Sequence, residues 1–209
     1  MAKKPERRPL NIISLVDTQK IDVTKANRRS MTWYNKQVQE LSRWDNDRSR
    51  EILIRGRPSG LGRRSKVQQG FMYLFGYEAK YADVLPYWDR FPMVLPFATD
   101  NKGFTGFNIH YLPYRTRSII LQRILEFATN ERMDYSTRVK ISWKLVKNFA
   151  KIEALSFCVK RYLWTHVKTN FRQVSPEDYG LVSLLPIHNF EGAKNPAKVW
   201  ADTLSKGIR

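Results

Sequence analysis

FMYLFGYEAKYADVLPYWDRFPMVLPFATDNKGFTGFNIHYLP, residues 71–113, is the stretch whose reading decides the fold class. Phe71 to Tyr77 is a short aromatic run between Gly70 and the polar Glu78-Ala79-Lys80. Met93 to Phe97 is a second run, with Pro92 and Pro96 favouring a sheet edge. Phe104 to Tyr111 alternates in character after an Asp100-Asn101-Lys102-Gly103 turn, and reads as a third strand. Between the first two, the prolines of Leu85-Pro86-Tyr87-Trp88-Asp89-Arg90-Phe91-Pro92 rule out a helix. Short strands around aromatic side chains predict a small antiparallel sheet or an SH3-like open barrel over about 70–112.

Downstream the period changes to that of helices. Ile119, Ile120, Ile124, Leu125 and Phe127 predict an amphipathic helix from Tyr114 to Asn130. Ser136 is the expected cap of the next, which carries Val139, Trp143, Val146 and Ala150. A third helix is predicted over Ala154 to Phe171 from Leu155, Val159, Leu163 and Val167. Ser175-Pro176-Glu177-Asp178 is a helix-start signature leading into Tyr179 to Leu185, and Pro196 to Lys206 predicts a last short helix with Trp200. Upstream, Tyr34, Val38, Leu41, Arg48 and Ile52 predict a helix from Ala26 to Arg55 that ends at the turn around Gly56 and Pro58. The expected class is α+β: the small sheet packed with a C-terminal helical bundle and an N-terminal helix. The expected division is an extended arm over 1–24, a basic helix and linker over 25–66, and an α+β core domain over 67–209.

Charge divides the chain into three parts of its own. The 209 residues carry a net charge of +18, more than solubility requires, and the excess calls for a polyanionic partner. Residues 1–70 hold 17 Lys+Arg against 7 Asp+Glu, residues 71–114 hold 3 against 4, and residues 115–209 hold 17 against 8. Arg29, Lys36, Arg43, Arg50 and Arg57 recur every seven residues, and the first four share a helix face. With Arg28, Arg63 and Arg64 they form the candidate nucleic-acid surface; the plainer alternative is a solvated face paired with nearby acids. Contact of this kind reads the phosphate backbone and not base sequence.

Other chemistry is sparse. The lone Cys158 forms no intrachain disulfide and reads as a small core residue in a helical stretch. His110, His166 and His188 fall in no metal-binding or catalytic pattern, and Glu78, Asp83 and Asp89 read as a loop-acid cluster. No window has the length and apolarity of a membrane span, and the N-terminus lacks a signal-peptide core, so a protein made and folded in a reducing cytoplasm is expected. No enzyme, no cofactor and no metal is expected. Tyr87, Trp88, Phe91 and Tyr111 are candidate protein-interface anchors, with core packing as the alternative. Asn108 and His110, placed at alternating strand positions, serve either to bond the strand to its turn or to meet a partner.

Four segments carry a resemblance. MYLFGYEAKYADVLPYWDRFPMVLPF contains an LPYxDxFP core formed by Leu85, Pro86, Tyr87, Asp89, Phe91 and Pro92. GFTGFNIHYLPYRTRSIILQRIL contains GFxGxNxHYLP, formed by Gly103, Phe104, Gly106, Asn108, His110, Tyr111, Leu112 and Pro113. CVKRYLWTHVKTNFRQVSPEDY and PAKVWADTLSK extend the likeness over about residues 70–205. Together they resemble a family of small virion and morphogenesis proteins of large, T-even-like tailed bacteriophages. The resemblance implies a DNA end-protector or head-completion protein, or a baseplate or neck component, and brings no catalytic residues. The expected function is therefore a structural or assembly protein of a tailed-phage particle, acting through protein interfaces with non-specific contact to double-stranded DNA. A dedicated DNA end-protecting protein is the alternative, and a metal-dependent nuclease a distant third. The expected partners are other virion proteins and DNA, with several copies in a symmetric assembly. The expected location is the virion, assembled in the host cytoplasm.

Overall fold

The computed structural model describes residues 28–41, 67–185, 190–193 and 196–206. A first helix, α1, covers 28–41. The remaining helices are α2 (Tyr114–Ala128), α3 (Tyr135–Phe149), α4 (Tyr179–Ser183) and α5 (Pro196–Lys206). The strands are β1 (Met72–Leu74), β2 (Trp88–Asp89), β3 (Met93–Thr99), β4 (Gly103–Asn108), β5 (Val159–Leu163), β6 (Arg172–Val174) and β7 (Phe190–Glu191). Five of them form one open antiparallel sheet in the order β5-β4-β3-β1-β6, and β2 pairs with β7 in a separate ribbon. The class is α+β, with an open sheet and, among the described residues, no closed barrel.

Period-two alternation gives the sheet two buried faces. On one face Met72, Leu74, Met93, Leu95 and Phe107 join side chains of α1, α2 and α3. On the other, Tyr73, Val94, Phe104 and Tyr162 pack with Phe75, Phe171 and Trp164. The second face is a mosaic of aromatic contacts: Phe104 stacks on Tyr162 at 5.1 Å, and Phe75 meets Phe171 at 4.8 Å. The β3–β4 hairpin turns where expected. Asp100 Oδ1 accepts from the backbone N–H groups of Lys102 (2.8 Å) and Gly103 (3.0 Å). Gly106 is needed for close approach, because a Cβ there would drive into the Val94 side chain. Pro96, which has no N–H to give the ladder, sits at a register shift in the β3–β4 pairing.

The predicted helix over Ala154 to Phe171 is not formed. A 3-10 turn spans Glu153–Cys158, β5 follows, a second 3-10 turn spans Trp164–His166, and β6 comes next. The four-residue spacing of Leu155, Val159, Leu163 and Val167 is coincidental. Helix preference distinguishes ordinary residues by at most about 0.7 kcal/mol each. Burying one large side chain such as Tyr162 contributes roughly 1.5–3 kcal/mol, and β4 presents an edge that needs a hydrogen-bonding partner. The β4 edge wins. Cys158 is buried, as expected, but at the end of a 3-10 turn and not in a helix; burial pushes its thiol pKa up to about 12.

The cap of α3 also differs from expectation. Asp134, not Ser136, is the N-cap: its carboxylate accepts from the Thr137 N–H (3.0 Å) and from the Ser136 hydroxyl (2.7 Å). These hydrogen bonds, from Thr137 first, hold the Asp134 carboxyl well below the usual carboxylate range. The start signature at Ser175 is formed as a 3-10 turn, Pro176–Asp178, that runs into α4, and α5 has the predicted bounds. The helix α1 packs into the same core as the sheet and the later helices. Its Tyr34 hydroxyl donates to Phe91 O (3.0 Å), Trp33 donates to Asp178, and Glu40 pairs with Arg172. The arm at 1–24 and the expected helical residues from 42 to 55 lie outside the described residues.

Candidate nucleic-acid interface

The helix α1 separates its faces cleanly. Ser30, Tyr34, Gln37 and Leu41, spaced by four, three and four, are buried. Arg28, Arg29 and Lys36 are exposed. Two turns separate Arg29 from Lys36, so they project about 20° apart on the outer side. Of the expected cationic surface, these three are placed facing solvent. Arg43, Arg50, Arg57, Arg63 and Arg64 lie outside the described residues.

A second cationic row was not anticipated. On α3, Lys140, Lys144 and Lys147 are exposed, and Lys151 is exposed in the turn that follows. The three helical lysines fall within about 60° of one another around the axis and extend over about 10 Å. Buried Ser142 and Val146 occupy the opposite side, and α3 itself contains no acidic residue. None of the four lysines pairs with a carboxylate among the described residues; Lys147 lies over the Trp143 ring at 5.3 Å. Trp143 is itself fixed by a 3.0 Å bond from its indole N–H to Phe97 O, so the row stands on a helix anchored to β3. The signal was present in the sequence. The lysines repeat at the same four-three-four spacing as Val139, Trp143, Val146 and Ala150, displaced by one residue.

The expected interface residues are placed differently. Asn108 is fully buried, His110 and Tyr111 are nearly so, Tyr87 is buried, and Trp88 and Phe91 are half-buried. β4 ends at Asn108, and His110 belongs to a 3-10 turn, Ile109–Tyr111, so the two are not alternating strand residues. They converge on one acid instead. Asp89 Oδ2 accepts from Asn108 Nδ2 and from His110 Nδ1, each at 2.9 Å, and Asp89 Oδ1 accepts from the Phe91 N–H. Asn108 Oδ1 accepts from the His110 N–H, and Asn108 Nδ2 also reaches the Tyr162 hydroxyl. Asp89 is therefore a buried hub joining β2, β4 and the turn, and not part of a loop-acid cluster. A group buried among its own chain's donors does not meet a partner, so internal bonding is the role these contacts support.

Arg117 has a related role that its residue type concealed. It is fully buried in α2, yet no carboxylate among the described residues touches it. Its guanidinium donates to the carbonyls of Ile109, His110, Leu112, Val182 and Leu185, at 2.6–3.4 Å. Burial pulls its pKa down to about 10, still above neutral, so the group is a cation held by oriented backbone dipoles. One of the chain's many cations thus belongs to the core.

Beside the hub lies a cleft of about 610 Å³ between the β1–β2 loop and strand β5, walled by aromatic side chains that include Tyr81, Trp88, Tyr111 and Phe157. Among the described residues no group of His, Cys, Asp and Glu is arranged to hold a metal ion. No helix of the described residues is long and apolar enough to cross a membrane.

A family model described as "Phage T4 terminal DNA protecting protein" matches residues 13–203. No curated protein and no solved structure matches the chain. The match takes in the motifs of the aromatic middle and reaches back through the basic N-terminal segment, where the motif resemblance began only near residue 70. Covering nearly the whole chain, it establishes that this protein belongs to the phage T4 terminal DNA protecting protein family.

Proposed function

We propose that the chain shields the ends of double-stranded phage DNA by binding the phosphate backbone without reading sequence, and that it acts by binding rather than by catalysis. The observation that carries the proposal is the α3 lysine row, a one-sided set of cations on an anchored helix with no acid interspersed. Such a row can follow consecutive phosphates, and Arg28, Arg29 and Lys36 enlarge the cationic surface. The family's description supports this reading over that of a tail, baseplate, neck or head-completion component. Much of the aromatic cluster expected to anchor an assembly interface is internal to the chain, which removes the main observation in favour of that alternative. A place in the virion fits end protection, since a terminus is shielded where the packaged DNA is held.

The test is twofold. Linear duplex incubated with the protein should resist a double-strand exonuclease, and the protection should fade as salt rises. The affinity should fall steeply with salt, with a log–log slope reduced by about 0.9 for each phosphate-contacting lysine replaced by Gln. Absence of duplex binding at low salt would remove the proposal.

A further inference from the structure

The strand β5 ends the sheet, paired with β4 on one side only. Its register runs from Gly103↔Leu163 to Phe107↔Val159, and the Trp164 N–H donates to Lys102 O at 3.1 Å. Bonded pairs alternate along an antiparallel ladder, so Lys160 and Tyr162 bond β4 through their backbone while Val159, Arg161 and Leu163 turn theirs outward. Two contacts agree: the Val159 N–H donates to Ser156 O, and the Leu163 N–H reaches the Tyr77 hydroxyl at 3.4 Å. The N–H and C=O of Arg161 and the C=O of Val159 remain along the outer edge, with no partner among the described residues. Charged side chains commonly guard such an edge. Here they are turned away from it. The Arg161 guanidinium lies over β4, bonded to Asp100 at 2.6 Å and 3.5 Å from Thr105 Oγ1, and Lys160 is committed to the rings of Phe157 and Tyr111.

The cleft runs along this edge, since Lys160, Arg161, Tyr162 and Leu163 form one of its walls. The β1–β2 loop forms the other and presents apolar groups: Tyr81 is 59% exposed, Val84 78% and Leu85 42%. The loop is held by its own turns, with the N–H groups of Val84 and Leu85 donating to Tyr81 O at 3.1 and 3.0 Å. Open backbone groups at strand period beside an apolar wall call for an extended polypeptide, which supplies main-chain N–H and C=O together with side chains at alternate positions. Charge narrows the source. Lys80, exposed at the rim with its ammonium 5.1 Å from the Tyr81 ring centre, pairs with no carboxylate among the described residues. Two chains of +18 each repel one another, which disfavours a second copy on this edge.

We propose that the outer edge of β5 takes an extended segment of another protein as a sixth strand, apolar where it faces Tyr81 and Leu85 and acidic where it passes Lys80. The site uses no residue of the α1 and α3 cationic rows, so it goes beyond the DNA-end reading and is tested separately from it. It gives the protein a second contact, which holds it to a neighbour while the lysine row meets DNA.

The experiment uses the full chain. Amide hydrogen exchange read residue by residue should find Arg161 at least about 10-fold faster than Lys160 and Tyr162, whose N–H groups bond β4. A random dodecapeptide library selected against the protein should enrich sequences with apolar residues at alternate positions and Asp or Glu near one end. A synthetic copy of the most enriched peptide should slow exchange at Arg161 about 10-fold. N-methylation of one alternating set of its residues should abolish binding and methylation of the other set should be tolerated, because a strand pairs through one edge. Leu85→Asp and Lys80→Glu, both at exposed positions, should each weaken the peptide about 10-fold while duplex binding and its salt slope stay unchanged. Slow exchange at Arg161 in the free chain would overturn the proposal by showing the edge already covered. So would a library that yields no enriched sequence, a peptide that binds without slowing Arg161, or equal tolerance of methylation in both sets. Protection of Arg161 that grows with protein concentration alone would put a second copy on the edge and overturn it as well. Loss of duplex affinity in the two variants would assign the face to DNA, with the same consequence. Absence of duplex binding with the peptide results intact would remove the phosphate-row proposal and support this one.

Discussion

Arg117 commits every N–H of its guanidinium to a backbone carbonyl, tying the turn after β4 to the end of α4 from a position inside α2. Tyr114 and Trp200 flank it, each with its ring centre 5.7 Å from the guanidinium carbon. Removing the cation strands carbonyls that water cannot reach. Arg117→Met is expected to lose roughly 3–5 kcal/mol of stability, by analogy with breaking other buried charge sites. Arg117→Lys should recover only part, because an ammonium has three donors on one atom where the guanidinium has a planar fork of five. Urea denaturation of the two variants checks both the loss and the order. At the Asp89 hub, Asn108→Ala removes two side-chain donors and the acceptor that holds the His110 N–H, and should cost about 2–3 kcal/mol by the same measurement.

Among the elements, α3 carries both a stability and a binding expectation, and the two have opposite signs. Like charges four residues apart destabilise a helix by a few tenths of a kcal/mol per pair. Replacing Lys140, Lys144, Lys147 and Lys151 by Gln should therefore leave thermal stability equal or slightly higher while weakening binding to duplex DNA. A lower melting temperature would mean instead that the row is structural. The elements also show where reading the sequence succeeds and where it fails. The middle strands and α2, α3 and α5 were legible because a local period and a flanking turn agreed, as at Asp100–Gly103 and Pro196. β5 was not legible: Val159 and Leu163 fit a helical period as well as a strand, and only the open edge of β4, more than fifty residues away in sequence, decides between them. The Asp89 hub was hidden for a related reason, because the contact of Asp89 with Asn108 and His110, 19 and 21 residues on, depends on how β2 meets the end of β4. For the candidate site, the exposure of Arg29 and Lys36 on one side of α1 agrees with their seven-residue spacing, and the later repeats lie outside the described residues. The α3 row is obscured in the sequence by the apolar stripe that it parallels one residue out of step.

Across the whole molecule, the buried phenols and thiol set an alkaline limit. Burial raises the pKa of Tyr73, Tyr77, Tyr87, Tyr111, Tyr162 and Tyr179 above the 10.0 of a free tyrosine, and that of Cys158 from 9.0 to about 12. In each case the folded state keeps a proton that the unfolded chain releases. Their stabilisation is fully present below pH 9 and is lost as pH rises through 10 and beyond, so the urea midpoint should fall steeply over that interval. A midpoint that stayed flat from pH 8 to 11 would show these groups to be solvated. The positive charge poses the complementary question. A net +18 opposes compaction by self-repulsion, and the proposed DNA contact of the α1 and α3 faces would offset part of it.

Salt titration of binding to a linear duplex, comparing the wild-type chain with the variant in which Lys140, Lys144, Lys147 and Lys151 are all Gln, is the most direct test of the proposed phosphate contact. Binding by the wild-type protein should weaken steeply with salt, and the variant should bind more weakly with a slope shallower by about 3 to 4. Equal slopes and equal affinities for the two proteins would contradict it.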